Sequence, residues 1–266
     1  MTCNSPTADR IFSADEARHI AETLVRDRFS GALCAFAAGS IFRGEGTVLS
    51  DIDLVVIHST VQNAYRESLT VDGCPIEAFV HDPDTLRYFL HKDREEAHAA
   101  MAAMVSEGLV LPSETPLSEA LREEARSFLN AGPPPLEPET IERMRYEITD
   151  AVDDLRGQRP LTEMVGCGVT LYRRLGSFIL RTQNEWNASG KWLPRLIARH
   201  DPQLAIRFDQ AFRDLFRDGK ADAVIALAED VLRPHGGFLF AGYTVNADPS
   251  WRRKKGCIQC RCENML

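Results

Sequence analysis

The run Gly132-Pro133-Pro134-Pro135-Leu136-Glu137-Pro138 constrains this chain more than any other stretch. A proline has no amide proton to give, and its ring clashes with the preceding turn, so no helix or inner strand crosses such a run. What lies before it differs from what lies after. The first part alternates short apolar runs with helical patterns, whereas the second part is helical throughout. The expected organisation is a mixed domain over 1–131, a proline-rich linker over 132–139, a helical bundle over 140–250 and a basic tail over 251–266. At 266 residues the chain is long enough for two modest domains, each with its own core.

In the first part Ser13 and Glu16 have the spacing of a capping box, and Ile20, Leu24 and Val25 follow at helical spacing, which predicts a helix over 14–29. Apolar runs over 33–38, 52–57 and 75–80 predict three strands. Helices are expected over 84–92, with Asp82 or Asp84 as its cap, and over 95–107 and 116–130. Beyond the linker the pattern predicts helices over 140–156, 161–187, 202–218 and 220–233, punctuated by Pro160, Pro194, Pro202 and Pro234. The apolar stripe of Leu171, Leu175, Phe178, Ile179 and Trp186 is the clearest of these. The fold class is therefore α+β: a small mixed-sheet domain followed by an all-helical bundle.

Charge narrows the partners. The net charge is −8, but residues 1–131 carry −10, 132–250 carry −2 and 251–266 carry +4. An acidic first half repels a phosphate backbone, which disfavours a long nucleic acid and favours a small cationic partner. No stretch reaches the ~20 apolar residues of a membrane span, and the first ten residues lack the order of a signal peptide. A soluble, cytoplasmic protein with reduced thiols is expected, since the seven cysteines at 3, 34, 74, 167, 257, 260 and 262 form no disulfide framework. Oligomeric state is not legible.

The chemistry concentrates in Gly39-Ser40 and Asp51-Ile52-Asp53-Leu54. Residues two apart on a strand share a face, so Asp51 and Asp53 project side by side while Ile52 and Leu54 pack the other way. Adjacent carboxylates repel, and a divalent cation held by oxygen ligands relieves this, with Mg²⁺ the natural candidate. Glu77, between apolar neighbours on another expected strand, can complete a three-carboxylate site; Asp72 or Asp82 takes its place if the strand boundary shifts. Gly39 lets a backbone approach a phosphate, the Ser40 hydroxyl adds a donor, and a following helical turn would offer free amides. Arg43 either neutralises phosphates or pairs with Glu45.

Gly-Ser, a ten-residue spacer from Ile41 to Ser50, then Asp-x-Asp between apolar residues resembles the signature of the DNA polymerase β-type nucleotidyltransferase superfamily. The order of a small α/β domain and a helical bundle is most similar to the bacterial aminoglycoside-type and minimal nucleotidyltransferases. The resemblance implies a short mixed sheet backed by helices. It also implies transfer of a nucleoside monophosphate from ATP or another NTP to a hydroxyl, with two Mg²⁺ ions and release of pyrophosphate. Asp51, Asp53 and Glu77 would then be both metal ligands and catalytic residues. Gly39, Ser40, Arg43 and Lys191 would bind the nucleotide. The acceptor is not implied: an aminoglycoside-like small molecule or a protein hydroxyl fits the charge better than an RNA end. A different reading is an antitoxin-type protein that adenylylates a partner protein or simply binds one.

Three further features complete the reading. Lys191, in Gly190-Lys191-Trp192-Leu193-Pro194, can reach a triphosphate across the interdomain cleft while Trp192 stacks or packs, or the segment is an interhelical loop with Trp192 as a core plug. Asp150, Asp153 and Asp154 share the first bundle helix as a cation site or as a solvated face, and His58 reads as structural. Cys257, Cys260 and Cys262 offer three soft ligands where a structural zinc needs four, so the tail reads as disordered and basic.

Overall fold

The computed structural model describes residues 10–157 and 159–251. The expected basic tail with Cys257, Cys260 and Cys262 lies outside the described residues, apart from Trp251 at its start. Contacts divide the chain into two units. The first comprises the chain through Leu136 together with Gly176–Ala205, and the second comprises Glu137–Leu175 together with Ile206 onward.

The first unit is built on a five-stranded mixed sheet of order β3-β4-β2-β1-β5. Its strands are β1 (Ala32–Ala38), β2 (Ile52–His58), β3 (Tyr65–Val71), β4 (Cys74–His81) and β5 (Leu109–Leu111). β2 and β4 run parallel, and the other pairs are antiparallel. Both faces of the central strands are buried, as their nearly unbroken apolar runs require. Leu54 and Val56 join Ala35, Ala37, Ala78 and Val80 in one core cluster, closed by Ile20, Leu24 and Val25 of α1 (Ala14–Arg28). Val55 and Ile57 join Phe36 in the other, closed by residues of α2 (Pro83–Glu95), α3 (Ala100–Glu107) and α4 (Pro116–Ala131). Full burial of each valine, leucine, isoleucine or phenylalanine side chain among these contributes about 1.5–3 kcal/mol. α1 starts with the expected capping box: the Glu16 amide donates to Ser13 Oγ at 3.3 Å, and the Ser13 amide donates to Glu16 Oε2 at 2.9 Å.

Two strands are absent from the sequence reading. β3 lies at the sheet edge and is alternately exposed, so its sequence Tyr-Arg-Glu-Ser-Leu-Thr-Val offers no apolar run. β5 is three residues long, below the length at which periodicity is readable. The helix expected over 95–107 begins at Ala100 instead, because Ala97 adopts a positive φ of 57° that ends the preceding helix.

Beyond the proline run stand α5 (Pro138–Arg156), α6 (Leu161–Thr182), α7 (Trp192–His200), α8 (Pro202–Asp218) and α9 (Asp222–Leu232). α7 is a helix that the sequence reading does not include. Residues 140–250 do not all group together, because the end of α6 and all of α7 make their contacts with the first unit. The Asn187 amide donates to the carbonyl of Ala97 at 2.8 Å, Trp186 stacks on Phe128 at 5.4 Å between centroids, and Arg181 donates to the carbonyl of Pro134. Trp186 therefore lies past the end of α6 rather than on its stripe, while Phe178 and Ile179 are buried as that stripe predicts.

Among the described residues of the second unit, the regular elements are all helices. Its buried side chains include Ile148, Val152, Leu155, Leu171, Leu175, Phe208, Phe212, Leu215, Val224 and Leu227. Tyr172 meets Phe208 and Phe212 edge-on at 4.8 and 4.9 Å. Asp153 and Asp154 are exposed and paired with Arg156 at 2.6 Å and Arg159 at 2.8 Å, as on a solvated helix face. No described helix is long and apolar enough to cross a membrane.

Candidate functional site

β1 delivers the chain to the site. Its last residue, Ala38, pairs with Asp53, and Gly39 then turns with φ +114°. A Cβ at Gly39 would stand 3.0 Å from the carbonyl oxygen of Asp51 and 3.3 Å from Asp53 Oδ2. Only glycine combines this backbone angle with so close a pass. Residues 40–44 form turns rather than the expected helical turn: Gly44 donates to the Ile41 carbonyl at 3.1 Å and Glu45 to that of Ser40 at 2.9 Å. Ser50 Oγ ties this loop together, accepting from the Ser40 hydroxyl and the Thr47 amide, both at 2.8 Å. The Ser40 proton is thus engaged within the loop.

Among the described residues, Asp51, Asp53 and Glu77 gather so that one carboxylate oxygen from each lies within 4.8 Å of the others. Asp51 immediately precedes β2, Asp53 is its second residue, and Glu77 is Asp53's partner on parallel β4. Asp53 and Glu77 point to the sheet face that α2, α3 and α4 close further along at Val55 and Phe79. All three carboxylates are partly buried, as an open but sheltered site requires.

The two alternatives to Glu77 have other work. Asp72 (φ 50°) and Gly73 (φ 80°) make the two-residue hairpin between β3 and β4. Asp82 caps α2, accepting from the Thr85 amide at 2.8 Å and the Val61 amide at 3.0 Å, and these bonds hold its carboxyl below the usual range.

Electrostatically the site is short of positive charge. Burial pushes the Asp53 carboxyl up to about 6, and the neighbouring charges of Asp51 and Glu77 add to this, while Arg43 and Lys191 act in the opposite sense. Arg43 lies 3.7 Å from Glu45, the pairing that the sequence offers, and 3.8 Å from Glu107. Lys191 belongs to the same unit as the carboxylates. Arg66, which the sequence reading missed because it lies on the unrecognised strand β3, forms an ion pair with Glu77 and stacks over Phe79 at 5.2 Å. An all-oxygen, anionic donor set of this compactness suits a hard divalent cation such as Mg²⁺.

No protein-family model matches the chain, and no curated protein matches it. Among solved structures it is similar to a nucleotidyltransferase-like protein from Exiguobacterium sibiricum. That likeness has a TM-score of 0.42 and 11% identity, covering 82% of this chain and 74% of the other. At that level the functional reading stands on the residues themselves.

Proposed function

We propose that this protein is a Mg²⁺-dependent nucleotidyltransferase that moves a nucleoside monophosphate, AMP foremost, from an NTP to a hydroxyl of a small amine-rich acceptor, with pyrophosphate leaving. The observation that carries the proposal is the convergence of Asp51, Asp53 and Glu77 beside the tight turn at Gly39. Asp51, Asp53 and Glu77 would hold two Mg²⁺ ions, which supply charge neutralisation at the phosphates and at the attacking oxygen. The loop after Gly39 would carry the phosphates beside the carboxylates, and Arg43 and Lys191 would counter their charge. The Glu77 carboxylate takes the acceptor's hydroxyl proton. Catalysis on this reading is chiefly positioning and preorganised electrostatics.

The acceptor class follows from charge. Residues 1–131 carry −10, which attracts a small polycation and raises a barrier to an anionic polymer. Binding of such an acceptor weakens as salt rises from ~0.05 to ~0.5 M, because the Debye length shortens several-fold. The test is pyrophosphate release from each NTP with Mg²⁺ and a panel of aminoglycoside-like amines, proteins and short RNA. Release with the amines is expected. Release with proteins alone reassigns the acceptor to a protein hydroxyl, and release with RNA alone to a nucleic acid end.

A further inference from the structure

We propose that the guanidinium groups of Arg43, Arg195 and Arg199, gathered around Trp192, form a polyphosphate site that grips the β and γ phosphates of the nucleotide and the pyrophosphate that leaves. This rests on the nucleotidyl-transfer reading, and it adds two arginines and an aromatic platform to it.

The geometry is specific. The Arg43, Arg195 and Arg199 guanidinium carbons lie 5.2, 5.1 and 5.9 Å from the centroid of the Trp192 ring. Trp192 opens α7, and Arg195 and Arg199 follow it at positions three and seven, on one face of that helix. Arg43 reaches the same ring from the loop after Gly39, and Lys191 adjoins it in sequence. The indole attracts each cation through its π face and so holds like charges together that would otherwise separate.

Their carboxylate partners are few and loose. Glu45 stands 3.7 Å from Arg43 and 3.4 Å from Arg195, and Glu107 stands 3.8 Å from Arg43. These distances exceed the 2.7–2.9 Å of a firm charge-assisted bond, and such exposed pairs contribute little. Among the described residues Arg199 and Lys191 form no ion pair with a carboxylate. Glu45 and Glu107 are thus the described carboxylates within 4 Å of the three guanidinium groups, which leaves a local excess of positive charge at the Trp192 ring. An excess of positive charge, built from arginines whose planar forks match phosphate oxygens, identifies the ligand as a multiply charged phosphate. Arg43 and Lys191 also act on Asp53, which sets this cluster beside the carboxylates. A triphosphate with its α-phosphorus at the carboxylates then has its terminal phosphates at the arginines.

The experiment is a titration of the full chain with inorganic tripolyphosphate in EDTA, followed by tryptophan fluorescence and calorimetry, with sulfate at matched ionic strength as control. Saturable tripolyphosphate binding that alters fluorescence is expected, with the fluorescence change absent in Trp192→Phe. The double variant R195Q/R199Q should bind at least about tenfold more weakly, as expected for losing charge-assisted hydrogen bonds. AMP, which lacks the terminal phosphates, should not compete. An equal response to sulfate, or unchanged affinity in the double variant, overturns the proposal. Because no metal is present, Asp53→Asn should retain the binding. Tripolyphosphate binding without nucleotidyl transfer would then sink the transferase reading and leave this site standing, while transfer without arginine-dependent binding would do the reverse.

Discussion

Asp53 and Glu77 face one another directly across the parallel strands β2 and β4. This register places two carboxylates on the same sheet face, one pair before that face is sealed by Val55 and Phe79 against the helices. Negative charge is thereby concentrated where burial makes it costly, and the Asp53 carboxyl is pushed up to about 6 from its ordinary 3.8.

That displacement makes metal-free stability depend on pH. Below about pH 4 Asp53 is protonated in both folded and unfolded chains and costs nothing, whereas above about pH 6 it is ionised in both and only the folded state carries the penalty. Stability contributed at this position is thus lost as pH rises through the window, by on the order of 2–3 kcal/mol. Asp53→Asn escapes the penalty. Thermal unfolding in EDTA should show this variant melting above the wild type near neutral pH and level with it at about pH 4. Equal melting temperatures at both pH values would contradict the electrostatic account.

Gly39→Ala should damage the site more than the fold. The residue sits at φ +114°, and the new methyl meets the Asp51 carbonyl and the Asp53 carboxylate at 3.0 and 3.3 Å. Backbone strain alone costs about 1–3 kcal/mol. Circular dichroism and Mn²⁺ titration are expected to show a retained fold, a lowered melting temperature and an affinity for the ion reduced by about tenfold. Undiminished Mn²⁺ affinity would show that the turn does not shape the carboxylates.

Arg66→Gln should strengthen cation binding. Arg66 is paired with Glu77 and competes with a metal for that carboxylate. The arginine side chain is 57% exposed, so the pair is weak, and its removal is expected to raise Mn²⁺ affinity about twofold to fivefold. Unchanged or weaker binding would mean that Arg66 supports Glu77 rather than contesting it.

The parts of this protein that are local in sequence were legible in it. The capping box at Ser13 and Glu16, the buried runs of β1, β2 and β4, and the pairing of Asp51 with Asp53 follow from spacings of two to four residues. Glu77 was legible because its apolar neighbours mark a strand. β3 was not, since an edge strand half in solvent keeps polar residues, and with it Arg66 went unrecognised. Nor does any local pattern show that Arg195 and Arg199 share a ring with Arg43, or that Trp186 and Asn187 pack on Phe128 and Ala97. Those are contacts between distant segments, which proline punctuation and helical periodicity do not encode.

The central claim is that these three carboxylates serve transfer of a nucleoside monophosphate, and the fate of the nucleotide's phosphates tests it most directly. ATP labelled at the α-phosphate and ATP labelled at the γ-phosphate are incubated separately with the protein, Mg²⁺ and the acceptor panel. The account predicts that the α label enters the acceptor, that the γ label leaves as pyrophosphate in equal amount, and that Asp53→Asn slows both by at least about a hundredfold. Transfer of the γ label to the acceptor, or wild-type rates in Asp53→Asn, would contradict it.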